Sequence, residues 1–259
     1  MVAQRSKLVA RIDRVLNAAL AGEPHVVLNV KASELLAEAE PVAAAISAAL
    51  DKGGQGLTGQ WRVTEAFRRS GLSDELFNSL ANPDPATRAA AARICGALRL
   101  TETVLWIGDL VNDPNREVRE AAIRSLGLLG GGRAVDMLMA SIDKISLHRL
   151  AIELSHAASD LDIEALMRSP RSEKVAVVTV VACGLRRDRL RIPSLLGIAH
   201  DRRWPKQVRL AACTALGMIG DPGTADAVKR LAEGDPDPDV KTYASRARRR
   251  MQGHASQRA

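Results

Sequence analysis

The chain has 259 residues and carries 37 Lys and Arg against 30 Asp and Glu, a formal net charge of +7. Hydrophobic residues make up 46% of it but aromatic residues only 2%, which predicts a core of closely packed small and aliphatic side chains. Three cysteines without paired spacing exclude a disulfide framework. The longest apolar runs, 42–50 and 175–185, are shorter than the about 20 residues that span a bilayer. Since residues 1–7 lack a signal-peptide pattern, we expect a soluble, cytoplasmic protein with no membrane partner.

The first quarter of the chain predicts helices and then a linker. Apolar residues spaced for one helical face occur over 5–21, and 32–50 is Ala-rich, with Pro41 indicating a kink or restart. Residues 51–59 contain four glycines and predict a linker. We therefore divide the chain into three parts: an N-terminal helical extension (1–55), a repeat domain (56–252) and a disordered basic tail (253–259).

One sequence pattern recurs through the repeat domain. In 112–132 a turn at Asp113-Pro114 precedes a helical pattern of apolar residues, and glycines end it. Arg119 and Gly127 in this segment lie eight residues apart. The same spacing separates Arg88 from Gly96 and Arg209 from Gly217, and Arg88 lies 31 residues before Arg119.

A second helical pattern precedes each of these segments. Helical apolar spacing occurs at 103–111, 135–142, 161–168, 192–199 and 224–232. Two helices per unit and a period near 31 predict an all-α fold, an α-solenoid of stacked helical hairpins of the armadillo-type superhelix class.

Two segments resemble a known repeat family. Residues 113–130 and 208–222 are similar to the short HEAT-like repeats first associated with phycobilisome bilin lyases, and the resemblance extends over roughly residues 61–250. It implies the fold of stacked helical hairpins. It implies little about activity, because enzymes, adaptors and scaffolds share these repeats.

The basic residue that opens each second helix has a structural interpretation. Acidic turn residues lie near Arg88, Arg119, Arg209 and Lys241, which predicts a ladder in which each basic side chain binds turn carboxylates or carbonyls. Five residues after each of these basic residues lies a position that we expect on the concave face. It is occupied by Arg93, Arg124, Thr214 and Arg246. Arg93 and Arg124 are therefore candidates for binding phosphate or an acidic peptide, with a solvated helix face as the alternative.

The densest basic cluster lies in the C-terminal half. Residues 1–130 carry 15 basic and 15 acidic residues, whereas 131–259 carry 22 and 15. Arginines cluster at 186–191, and a second group surrounds a tryptophan at an intra-repeat turn: Arg202, Arg203, Trp204, Lys206 and Arg209. A Trp among basic residues is typical of a binding hot spot or of a stacking platform for bases. The alternative is a Trp that covers its own helix pair, and Trp61 and Trp106 are expected in the core.

No pattern in the sequence predicts catalysis. The three cysteines occupy apolar core positions, and the five histidines lack metal-ligand spacing. Deoxyhypusine hydroxylases share this repeat type and hold two irons with His-Glu pairs, but the chain contains no His-Glu dipeptide. HEAT-like DNA glycosylases use several aromatics, which are scarce here.

The sequence therefore predicts a non-enzymatic protein-interaction scaffold with no cofactor and no metal, whose partner presents an acidic surface. Binding of nucleic acid or another polyanion by the basic C-terminal half is the alternative. A subunit of an enzyme, such as a bilin lyase-like protein, is a lesser one. The sequence specifies no oligomeric state.

Overall fold

The computed structural model describes residues 6–23, 25–53 and 57–256, and these residues form an all-α solenoid without a strand. Sixteen α-helices follow one another in the described residues: α1 (Lys7–Ala21), α2 (Ala32–Ala37), α3 (Ala39–Gly53), α4 (Leu57–Arg69), α5 (Leu72–Ser79), α6 (Pro85–Ala97), α7 (Val104–Leu110), α8 (Arg116–Leu129), α9 (Gly131–Ala140), α10 (Leu147–Ala157), α11 (Asp160–Arg168), α12 (Glu173–Leu185), α13 (Ile192–His200), α14 (Lys206–Ile219), α15 (Ala225–Gly234) and α16 (Pro238–Ser256). The fold class expected from the sequence is confirmed. The N-terminal region also restarts a helix two residues before Pro41, as the sequence indicates.

The recurring sequence pattern specifies where the second helix of a repeat begins and ends. Asn115 caps α8, since its side-chain oxygen accepts hydrogen bonds from the backbone N–H groups of the first turn. The buried face of α8 includes Val118, Ala122 and Leu126, which follow the predicted helical period. Gly130 ends the helix at a φ of 66°, a conformation that glycine adopts without steric cost.

Glycines such as Gly96 in α6 and Gly184 in α12 let neighbouring second helices approach at backbone distance. A Cβ at Gly96 would lie 2.7 Å from the Cα of Ser125, and one at Gly184 would lie 2.7 Å from the Cα of Ala215. These distances are shorter than carbon atoms tolerate. These glycines are therefore required by packing between repeats, in addition to any role in ending a helix.

The chain divides into two compact units, Met1–Met137 and Leu138–Ala259. In the first unit the second helices α6 and α8 pack side by side, and α3 packs against α6 from the N-terminal side. α1 contacts both α3 and α4. The helices assigned to an N-terminal extension thus pack inside the same unit as the first repeats, while part of the expected linker, residues 54–56, lies outside the described residues.

The second unit repeats the arrangement with four second helices. α10, α12, α14 and α16 pack in sequence, and α11, α13 and α15 pack against them. α16 continues as a helix through Ser256, beyond residue 253 where the tail was expected to begin. Residues 257–259 lie outside the described residues.

Two of the three tryptophans do not lie where we expected them from the sequence. Trp61 is 56% exposed and Trp106 is 47% exposed, although both were expected in the core. Helical spacing alone does not distinguish an apolar position that faces the next helix from one at the rim of the stack. All three cysteines are buried, as expected. None of the helices in the described residues is long and apolar enough to cross a membrane.

Candidate functional site

The ladder of basic residues is present at three of its predicted positions. Arg88 donates from Nε to Oδ2 of Asp113 at 2.9 Å and from Nη2 to Oδ1 at 3.1 Å. Its Nη1 also donates to the carbonyls of Asn82 and Pro83. Arg119 donates to the carbonyls of Asp113 and Pro114 at 2.8 and 2.9 Å. These bonds tie each second helix to its own turn, and Arg88 to the next turn along the chain.

Arg209 is the most deeply buried member of this ladder. Its Nε donates to the carbonyl of Ala199 at 3.0 Å and its Nη2 to the carboxylate of Asp235. The residue is 5% exposed, so its guanidinium does not reach a partner. Arg209 is therefore removed from the expected partner surface and assigned to the packing of the second unit.

The Arg93–Arg124 face is already occupied by glutamates of its own unit. Arg93 lies 3.2 Å from Oε2 of Glu40 through Nε and donates to Oε1 of Glu117 at 2.8 Å through Nη2. Arg124 donates to the other oxygen of Glu40 at 3.3 Å. Glu40 belongs to α3, so a helix from the N-terminal region supplies the carboxylate expected from a partner.

We call residues 201–206, which join α13 to α14, the Trp204 turn. Asp201 organises it: its carboxylate accepts hydrogen bonds from the backbone N–H and the guanidinium of Arg203, and its carbonyl accepts one from the N–H of Trp204. The side-chain hydrogen bonds from Arg203 hold the pKa of Asp201 below its usual value. Arg203 nevertheless remains exposed, because the pair lies on the surface.

The two other basic side chains of the Trp204 turn differ in their contacts. Lys206 forms ion pairs with Asp237, at 3.4 Å, and with Asp239. The hydrogen bond to Asp239 raises the pKa of Lys206 above its usual value. Arg202 is exposed, and among the described residues none binds its guanidinium. Among the described residues, the turn therefore holds one cation without a partner and two that pair with carboxylates of their own unit.

Trp204 is half-buried and lines an open groove of about 460 Å³ between α11 and α13. The groove also contains Arg191 of the basic cluster and residues that the sequence did not single out: Glu164, Met167, Arg168, Ser194, Gly197 and Ile198. Gly197 interrupts the apolar pattern of a predicted helix, and this was the available signal. The groove lies beside the turn that the sequence singled out.

Two arginines of the expected cluster at 186–191 bind residues near the start of α11. Arg186 donates to the carbonyl of Ala158 at 2.6 Å and binds the carboxylate of Asp160. Arg191 donates to the carbonyl of Asp160 at 2.9 Å and lies 3.6 Å from Glu164. These arginines join α11 to the segment before α13, and Arg191 also faces the groove.

The cysteine thiols are kept protonated by burial. Loss of solvation raises the pKa of Cys95 and of Cys183 to about 12 and that of Cys213 to about 11. A thiolate is the reactive form of cysteine, so these three thiols are poor nucleophiles and poor metal ligands in the folded chain.

A comparison with known proteins gives one relative of established activity. Over 69 residues the chain is 42% identical to deoxyhypusine hydroxylase of Gallus gallus; the matched part is 27% of this chain and 23% of the relative. The chain therefore spans less than a quarter of that relative's length. Since the relative is an enzyme, this similarity contradicts the expectation of a non-enzymatic scaffold.

Several solved structures share the helical architecture at low identity. Human deoxyhypusine hydroxylase in complex with glycerol is 17% identical with a TM-score of 0.38, covering 95% of this chain and 97% of that one. The complex of CpcE and CpcF of phycocyanin lyase from Nostoc is 18% identical with a TM-score of 0.35, covering 83% and 94%.

The residues present do not fit the iron centre of a deoxyhypusine hydroxylase. Within the described ranges no group of three or more His, Cys, Asp or Glu side chains is placed to hold a metal ion. The sequence has no His-Glu dipeptide, the pair implied by the resemblance. No reaction step through iron is therefore derived for this chain.

The family itself is established by the repeats. The model of HEAT repeats matches residues 73–154 and 162–247, more than half of the chain. Both stretches contain the recurring spacing from arginine to glycine, and both fold into the paired helices described above. The chain belongs to the HEAT repeat family.

Proposed function

We propose that this chain takes part in an enzyme reaction and that its second unit binds an acidic protein segment, of a substrate or a partner subunit, at the Trp204 turn. The 42% identity to part of a hydroxylase supports the first half of this proposal. The second half rests on one observation: Arg202, exposed and without a partner among the described residues, adjoins a half-buried Trp at the mouth of an open groove.

The chemistry of the Trp204 turn suits a carboxylate. A guanidinium binds a carboxylate through two parallel hydrogen bonds, and Trp contributes contact area at small cost in conformational entropy. The pair between Arg203 and Asp201 is solvent-exposed, and exposed pairs contribute little to stability. A carboxylate of a partner can therefore take the place of Asp201 on Arg203 with little loss.

The distribution of charge favours a protein partner over a nucleic acid. A nucleic acid places phosphates at regular intervals and requires a row of uncompensated cations. Around the groove Arg168 is paired with Glu164, and Lys206 is paired with Asp237 and Asp239. Isolated cations beside acidic residues fit a segment with separated carboxylates better than a continuous polyphosphate.

The proposal is tested by fluorescence anisotropy with a short labelled peptide of Glu, Asp, Gly and Leu. Trp204→Ala and Arg202→Glu should each weaken binding about tenfold, the usual effect at a hot spot. Arg116→Glu serves as the matched control, because its side chain is 84% exposed on α8 of the first unit and binds Glu120 in its own helix.

Two results would contradict the proposal. If the peptide binds both Trp204→Ala and Arg202→Glu as tightly as the unmodified chain, the Trp204 turn is not the site. If duplex DNA binds more tightly than the peptide, with an affinity that falls steeply as salt rises, the partner is a nucleic acid.

A further inference from the structure

The groove between α11 and α13 is open at Gly197, an exposed position of α13. A Cβ at Gly197 would meet no described atom within 4 Å. Gly197 lies within α13, and its backbone conformation is one that any residue adopts, so the missing side chain leaves space without strain. The groove therefore has room above Gly197 for a side chain from elsewhere.

Apolar side chains line part of this space, beside charged residues. Met167 of α11 and Trp204 at the turn are half-buried, and Ile198 lies buried next to Gly197. Met is flexible and polarisable and adjusts to different shapes, while Trp presents a large flat face. An apolar side chain placed here would contact Met167 and the ring of Trp204.

The rim of the groove carries arginines that the chain pairs with its own carboxylates. Arg168 lies exposed at the end of α11 and pairs with Glu164. Arg191 lies 3.6 Å from the other oxygen of Glu164, and its buried Nε lies 3.8 Å from Asp188. Arg202, in the adjoining turn, has no partner among the described residues. A carboxylate beside an inserted apolar residue would therefore meet Arg202 directly, or Arg168 in exchange for its exposed pair with Glu164.

The first unit shows what fills such a space when the chain supplies it. On α7 of that unit, a Cβ at Gly108 would lie 2.8 Å from Sδ of Met137, so a side chain of the chain itself already covers this glycine. On the same helix the ring of Trp106 packs edge-on against Phe77 with centroids 4.6 Å apart. In both places the filler is a large apolar side chain.

We infer that the groove between α11 and α13 receives a large apolar side chain, Leu, Met or Phe, of the acidic segment that binds the Trp204 turn. This inference rests on the proposed function and specifies its ligand. The segment carries an apolar residue with acidic residues on both sides. The apolar residue packs over Gly197, and its acidic neighbours bind arginines of the rim.

The test uses two labelled peptides that are identical except at one central position flanked by Glu, which holds Leu in one and Ser in the other. The unmodified chain should bind the Leu peptide at least about tenfold more tightly, as burial of a leucine side chain implies. Gly197→Leu fills the groove from within, so it should bind both peptides with the affinity of the Ser peptide. Gly234→Leu is the matched control, since a Cβ there also meets no described atom and the position lies outside the groove.

The outcomes separate this inference from the proposed function. Equal affinity of the unmodified chain for the two peptides would overturn the inference and leave binding of acidic segments intact. Preference for the Leu peptide that persists in Gly197→Leu would place the apolar contact elsewhere and overturn it as well. Failure of both peptides to bind the unmodified chain would overturn the proposed function itself. A thermal melt of Gly197→Leu shows whether the variant is folded, and the comparison on the unmodified chain does not depend on it.

Discussion

The two compact units are built from the same repeat but differ in net charge and in particular contacts. The first unit carries no net charge: residues 1–137 have 16 basic and 16 acidic residues, and the second, 138–259, has 21 and 14. In the first unit the space above Gly108 is filled by Met137, and the carboxylate of Glu40 joins Arg93 to Arg124. In the second unit the groove at Gly197 is open and Arg202 is unpaired among the described residues. The difference teaches that the repeat specifies the stack, whereas the contacts on its surface vary from one unit to the other.

The largest expected effect concerns, in each unit, an arginine that pairs with a buried aspartate. Arg209→Ala should lower the free energy of unfolding by about 3–5 kcal/mol, because it leaves the buried carboxylate of Asp235 without its ion-pair partner. Arg88→Ala should cost less, because the Arg88 side chain is more exposed than that of Arg209. Chemical denaturation of both variants measures the two values, and a larger cost for Arg88→Ala would contradict the ranking.

Two glycines of the second unit should respond to alanine with opposite signs. Gly184→Ala forces a Cβ against the backbone of α14 and should destabilise by about 1–3 kcal/mol. Gly197→Ala meets open space and should stabilise by about 0.5–1 kcal/mol through helix propensity. Thermal melts compare the pair. Destabilisation by Gly197→Ala would show that the groove is filled in solution.

The stability of the first unit should depend on pH through Asp113. The hydrogen bonds from Arg88 hold the pKa of this carboxyl below its ordinary value. A depressed folded-state pKa contributes stability that is fully present above the unfolded-state pKa of about 3.9 and is lost as the pH falls through the folded value. Melting temperatures between pH 5 and pH 2 should therefore fall more steeply for the unmodified chain than for Asp113→Asn. Parallel curves would show that this pair contributes nothing to acid unfolding.

The smallest expected effect lies at two equivalent helix ends, one in each unit. Arg99 and Arg187 adopt φ values of 54° and 52°, where a side chain is strained and glycine is not. Arg99→Gly and Arg187→Gly should each stabilise by about 0.5–1 kcal/mol. Arg99 also binds Asp51, so its gain should be the smaller of the two. Loss of stability in Arg187→Gly would mean that its side chain makes a contact that outweighs the strain.

The sequence predicted the packing of the helices well, but it predicted the exposure and the ion pairs of surface residues poorly. Both results have physical reasons. The period of Val118, Ala122 and Leu126 and the spacing from Arg119 to Gly127 reflect packing inside one repeat, which local sequence records. The exposure of Trp61 and the openness at Gly197 depend on which residue of another helix lies opposite, and a single repeat does not contain that information. The sequence also did not indicate that Arg203 and Lys206 find carboxylates of their own unit.

The most direct test of the account uses the indole N–H signals of the three tryptophans. Isotope-labelled protein is titrated with the acidic peptide that carries a central Leu, and the signals are followed by NMR after assignment with Trp→Phe variants. Trp204 lines the open groove, whereas Trp61 and Trp106 lie in the first unit and serve as internal controls. The account predicts that the signal of Trp204 shifts in proportion to saturation while those of Trp61 and Trp106 stay in place. A shift of Trp61 or Trp106 with Trp204 unmoved would contradict it.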